Sequence, residues 1–208
     1  MTDSPKAMPA LLLHPALRGA RARHAWMGCC IAILCLCPMF CSAQSNAGFT
    51  THDVQAAYLY NFAKFAQWPQ DRATDSEPFS ICLLGEDELG KKLDDLIADE
   101  TLQGRKIVAR RLSSASAAES CQIVFIGQSE EARLSKELAA LNGKPALTVS
   151  ALPQFLEHGG AILFLFQNNK VRFAVNLAAA QQAGLTLSSE LLKVAVYVQG
   201  MSAPGGMR

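Results

Sequence analysis

Phe79-Ser80-Ile81-Cys82-Leu83-Leu84-Gly85 is apolar at both alternating positions, interrupted by one serine and closed by a glycine. A strand that reads as a continuous apolar run is covered on both faces, as in the interior of a parallel sheet. Cys121-Gln122-Ile123-Val124-Phe125-Ile126-Gly127 repeats the pattern and again ends in glycine. Between these runs, Leu89, Leu93, Leu96 and Ile97 recur at helical spacing over residues 88–98. Residues 105–110 alternate around β-branched Ile107 and Val108 and read as a strand. Downstream, Ser129 caps a helix with Glu130 and Glu131 in its first turn, and Asn142-Gly143 stops it. Residues 146–149 form a strand, and Ser150 caps a short helix reaching His158-Gly159-Gly160. Residues 161–166 and 171–175 flank Gln167-Asn168-Asn169-Lys170, an antiparallel hairpin because asparagine tolerates positive φ. Two helices, over residues 177–183 and 188–198, close the domain. Strands alternating with helices predict an α/β fold: a three-layer, Rossmann-like sandwich, mostly parallel, with a C-terminal antiparallel hairpin.

Upstream of the first strand lies Ala56-Ala57-Tyr58-Leu59-Tyr60-Asn61-Phe62-Ala63-Lys64-Phe65-Ala66-Gln67-Trp68-Pro69. The spacing predicts a helix from an Asp53 cap to Trp68, ended by Pro69, because the residue before a proline is pushed out of the helical region. Asn61, Lys64 and Gln67 recur every third residue as one narrow polar stripe. Tyr58, Leu59, Phe62 and Phe65 therefore need cover, either in the core or against another chain. The C-terminal block around Phe173, Asn176, Leu191 and Leu192 carries the same two readings, core packing or docking surface.

The first forty residues read as an export device. Arg18, Arg21, Arg23 and His24 precede an apolar run of 16 residues (25–40), and Ser42 and Ala43 follow. Basic, apolar and small-residue regions in that order make a secretory signal. The run is short for a membrane span of about 20 residues, an uncleaved anchor being the alternative. Cleavage after Ala43 fits, with Ala47 a second candidate, leaving residues 44–208 as one domain, ordered over about 53–198. The chain of 208 residues holds 19 basic and 18 acidic side chains; without Lys6, Arg18, Arg21, Arg23 and Asp3 the balance is 15 to 17, a net of −2. No basic patch remains to suggest nucleic acid. Of seven cysteines, Cys82 and Cys121 stay with the mature chain. They are either two buried thiols or a disulfide, and an oxidising compartment favours the disulfide, as a staple rather than a redox sensor.

Enzymatic motifs are missing. Gly85 stands between a strand and a helix, but Glu86, Asp87 and Glu88 follow it where a phosphate would lie. Their repulsion outweighs a helix-dipole attraction of about 0.3–1 kcal/mol. The mature chain has His52 and His158 alone, with no His-Glu-x-x-His, Cys-x-x-Cys or Gly-x-Ser-x-Gly. His158, before Gly159-Gly160, reads as a helix-end residue. No cofactor, metal or catalytic residue is expected, and the chain reads as a non-enzyme.

The aromatic helix ending in Trp68-Pro69 resembles the opening of the YfiR family, also called HmsC-like. Its other marks follow in order: Ile81-Cys82-Leu83-Leu84-Gly85, Gly104-Arg105-Lys106-Ile107, Cys121-Gln122-Ile123-Val124-Phe125-Ile126, Leu147-Thr148-Val149-Ser150, Gly159-Gly160-Ala161-Ile162, Val171-Arg172-Phe173-Ala174-Val175-Asn176-Leu177 and Ser189-Glu190-Leu191-Leu192-Lys193. The resemblance implies a periplasmic, dimeric repressor of an inner-membrane diguanylate cyclase, acting on the cyclase's periplasmic domain. It further implies release by an outer-membrane peptidoglycan-binding lipoprotein, output as cyclic-di-GMP and biofilm, and a disulfide at Cys82 and Cys121. A second cysteine pair near the hairpin, known in the family, has no counterpart here, since no cysteine follows Cys121. The alternative reading is a periplasmic small-molecule receptor whose sheet-edge crevice holds a ligand. Tyr58, Phe62, Phe65, Phe173, Asn176, Leu191 and Leu192 are the candidate dimer or partner contacts.

Overall fold

Every one of the six residues of strand β2 (Phe79–Leu84) is buried, as the continuous apolar run requires. The computed structural model describes residues 49–69, 77–86 and 89–200; the expected signal peptide, most of the polar loop before β2 and most of the tail lie outside the described residues. In chain order the elements are α1 (Thr51–Phe65), β1 (Ala66–Gln67), β2, α2 (Gly90–Ile97), β3 (Thr101–Leu102), β4 (Arg105–Leu112), β5 (Ile123–Ile126), α3 (Leu134–Leu141), β6 (Leu147–Ser150), β7 (Ile162–Gln167), β8 (Lys170–Asn176), α4 (Leu177–Gln182), β9 (Thr186–Leu187), α5 (Ser189–Val194) and β10 (Tyr197–Gln199).

Eight strands form one sheet in the order β10-β8-β7-β6-β5-β2-β4-β3. Five of its seven neighbouring pairs are parallel, and β3–β4 and β7–β8 are antiparallel. On one face, Ile81, Leu83, Ile123, Val149 and Phe164 pack with α1, α2, α4 and α5 residues. On the other, Cys82, Leu84, Val124 and Ile126 pack with α3 and with Leu152 and Phe155. The result is the three-layer, mostly parallel α/β sandwich that the alternation of strands and helices implies.

Helix α1 starts one turn earlier than the sequence suggests. Its cap is Thr50, whose Oγ1 accepts from the Asp53 amide at 3.2 Å while the Asp53 carboxylate accepts from the Thr50 amide at 2.8 Å. This reciprocal box satisfies two otherwise orphaned donors, with Asp53 in its third position. Lys92 of α2 reaches the same carboxylate at 2.7 Å. Chiefly through Lys92, then through Thr50, the Asp53 carboxyl is held far below the usual carboxylate range. A depressed folded-state pKa contributes stability above the unfolded value, near 4, and that contribution is lost as pH falls through the folded value. Asp53→Asn is therefore expected to be less stable than the native chain at neutral pH, the gap closing as acid is added. Denaturant melts at several pH values measure this, and a gap that stays constant down to pH 2 would refute the linkage.

The helix also ends earlier than expected. Ala66 turns extended and pairs with Leu187, making β1–β9 a two-stranded clasp that stops α1 at Phe65 before Pro69 can. The expected hairpin is present: β7 and β8 are joined by Asn168 and Asn169 at φ 50° and 57°, the positive pair that a two-residue primed turn demands. Three other expectations are corrected. Residues 128–133 are 3-10 helix, and Ser129 turns its Oγ to the Glu86 amide at 2.9 Å instead of capping. Residues 153–159 form turns in place of the helix expected after Ser150. The last helix stops at Val194, and Tyr197–Gln199 joins the sheet parallel to β8, as its β-branched neighbours favour.

Gly160 is explained by packing. A Cβ there would fall 2.2–2.5 Å from the Phe155 ring, which is fully buried. Gly160→Ala is expected to cost about 1–3 kcal/mol by overpacking. Urea unfolding checks this, and an unchanged midpoint would show that the ring moves aside freely.

Candidate functional site

Cys82 and Cys121 are joined by a disulfide, with Cα atoms 5.9 Å apart and a sequence separation of 39. That Cα spacing lies inside the range a bridge needs, about 4.4–6.8 Å. Cys82 belongs to β2, and Cys121 lies two residues before the neighbouring parallel strand β5 begins. Gln122, between Cys121 and β5, holds the junction: its amide donates to Ser80 O at 3.0 Å and its Oε1 accepts from the Ser80 amide at 2.7 Å. Cys121 also lies in the wall of a cleft of about 620 Å³ at the amino ends of β2, β5 and β6, with Trp68, Phe79, Arg105 and Pro145. The Trp68 indole N–H donates to Gln122 O at 3.0 Å, and its ring meets Phe79 edge-on at 5.0 Å. The Trp-Pro signature thus serves as a wall between α1 and the sheet.

At the opposite end of β2, Gly85 adopts φ +99°, and a Cβ there would collide with Ser129 Oγ at 2.5 Å. Glu130, 3 % exposed, occupies this turn, and Arg133 contacts both carboxylate oxygens at 2.8 and 2.7 Å. The turn thus presents a protein carboxylate paired with its own counter-ion. Among the described residues, no group of three His, Cys, Asp or Glu gathers closely enough to hold a metal ion.

The seven candidate contact residues are distributed unequally. Phe62, Phe173, Asn176 and Leu191 are buried within the chain's own core. Phe62 meets Phe173 edge-on at 5.1 Å and stacks near Phe164 at 5.9 Å. Asn176 serves the local backbone. Its Oδ1 accepts from the Ala179 amide to cap α4, and its Nδ2 donates to Leu156 O. Tyr58 and Leu192 are half-buried, the Tyr58 hydroxyl donating to Val171 O at 3.4 Å. Phe65 is the exposed one at 39 %. Its carbonyl accepts from the Ser188 amide, so the end of α1 lies beside the start of α5. At the end of α5 and just beyond it, Val194, Val196 and Tyr197 are exposed by half or more, an apolar stretch the sequence reading hid inside an expected helix.

These features define an α/β domain with a flavodoxin-like order in its parallel strands, β4-β2-β5-β6-β7. A family model described as YfiR/HmsC-like matches residues 52–196, and the chain belongs to that family. The family is one of periplasmic, regulatory, non-catalytic proteins in cyclic-di-GMP signalling. No helix among the described residues is long and apolar enough to cross a membrane. No curated protein matches the chain in sequence. Among solved structures, a conserved domain protein from Vibrio cholerae O1 biovar El Tor is similar in fold, with TM-score 0.52 and 12 % identity over 73 % of this chain. The chain spans 61 % of that protein's length. The ABC domain from Streptococcus pneumoniae in complex with L-Trp aligns at TM-score 0.43 and 12 % identity, over 58 % of this chain and 55 % of that one.

Proposed function

We propose that this protein is a periplasmic repressor of an inner-membrane diguanylate cyclase, binding the cyclase's periplasmic domain and holding it inactive. Capture by an outer-membrane peptidoglycan-binding lipoprotein lifts the repression, and cyclic-di-GMP and biofilm rise. The observation that carries this reading is the YfiR/HmsC-like match across residues 52–196. The protein acts here by binding, as a homodimer, and performs no catalysis. Exposed apolar side chains in sequence at Val194, Val196 and Tyr197, with Phe65 exposed on α1, support a docking role, because contiguous apolar surface marks interaction sites.

Deletion of the gene is expected to raise cyclic-di-GMP, and the rise should vanish when the partner cyclase is deleted as well. Unchanged cyclic-di-GMP in the single deletion, with the cyclase expressed, would leave repression unsupported. Phe65→Ala and Tyr197→Ala are expected to change stability by no more than about 0.5 kcal/mol, as surface substitutions do. If these positions dock the partner, the same variants mimic part of the deletion. Wild-type repression by the double variant would move the docking surface elsewhere.

A further inference from the structure

The parallel strands wind in opposite directions from the boundary between β2 and β5. In open α/β sheets the crevice outside the carboxyl ends of the strands at such a boundary is where ligands bind. A cavity of about 270 Å³ opens there, away from the disulfide and its cleft. Glu86 beyond β2 and Gln128 beyond β5 edge it, and the first turns of α1 cover it. Its apolar lining includes Phe125 and Phe164, whose ring centroids are 6.3 Å apart.

Gln55 faces this cavity from α1. It is 7 % exposed, yet its carboxamide makes no hydrogen bond among the described residues. The buried side-chain atoms without a partner among the described residues do not include those of Gln55, so its carboxamide stays within reach of solvent and of a ligand in the cavity. A glutamine carboxamide offers one donor and one acceptor side by side, matched by another amide presenting the reverse order. The Glu86 carboxylate at the edge disfavours an anion. An apolar cavity of about 150 Å³ accepts benzene, so one of about 270 Å³ admits a single substituted ring.

We propose that this cavity is a binding site for a small, planar, uncharged molecule bearing a carboxamide or lactam edge, read by the Gln55 side chain. The ring lies against Phe125 and Phe164, and the amide edge pairs with Gln55. The site does not depend on the repressor reading, and its test uses no cyclic-di-GMP measurement.

Benzamide is the probe, benzoate its isosteric anionic control, and NMR titration of the exported protein the measurement. Saturable shifts of the Gln55 side-chain amide are expected with benzamide, with benzoate at least tenfold weaker. Gln55→Leu, apolar and similar in length, is expected to weaken benzamide at least tenfold, followed through the Phe125 and Phe164 amides. Ala151→Trp, at an exposed residue of the cavity lining, closes the mouth and abolishes binding, which keeps the test decisive should Gln55→Leu fail to fold. No saturable benzamide shift up to millimolar concentration overturns the proposal. So does equal binding of benzoate, or unchanged benzamide affinity in a folded Gln55→Leu or in Ala151→Trp.

Discussion

Phe62→Ala is expected to lower the unfolding free energy by about 3–5 kcal/mol, the usual cost of emptying a buried aromatic site. The ring has no exposure and lies among Tyr58, Phe164 and Phe173, with centroids 5.1–5.9 Å away. These neighbours come from α1 and from both strands of the hairpin, so the site cannot collapse without moving all three elements. Phe65→Ala, three residues along the same helix, serves as the control because its ring is partly in solvent. Urea melts of both variants decide the matter. Equal losses would mean that the two rings share one environment, contrary to their burial.

Removing the bridge with Cys82→Ala and Cys121→Ala together is expected to cost about 4 kcal/mol in the chain-entropy account, for a loop of this length. The double substitution avoids leaving one unpaired thiol in the core, where Cys82 has no exposure. Protein of residues 44–208 made in an oxidising compartment should also show no thiol titratable before denaturation. A double variant as stable as the parent would argue that the bridge constrains nothing that packing does not already hold.

The parts of this fold legible in the sequence are those where local pattern and global environment agree. β2 and β5 announce themselves because a strand covered on both faces has no polar alternation to confuse it. The Asn168-Asn169 turn is legible because its backbone needs positive φ, which few residues accept. The end of the chain misleads for the opposite reason. Val194, Val196 and Val198 are compatible with a continuing apolar helix, and pairing with β8 decides for strand. The clasp between β1 and β9 is two residues long on each side, too short for any periodicity to show. Asp53 looks like a cap when seen alone, whereas the box needs Thr50 to be read with it. The candidate contacts were only partly legible, since a helix apolar on most sides does not reveal which ring meets solvent. Gln55 carried no signal at all: a single glutamine in a helix forms no motif, and burial alone makes it notable.

The clasp has a consequence for how the molecule is made. It pairs Ala66 with Leu187 and so joins the two ends of the domain. Helix α1 likewise rests on β8, whose Phe173 covers Phe62. As the chain is synthesised, α1 is complete more than a hundred residues before β8, its seat, exists. Contacts this distant in sequence are slow to form. In the interval its aromatic face is open to other chains, a hazard of incompletely assembled intermediates. A chain cut short before β8 would therefore leave that face permanently bare and fit for a chaperone or a protease rather than for a partner.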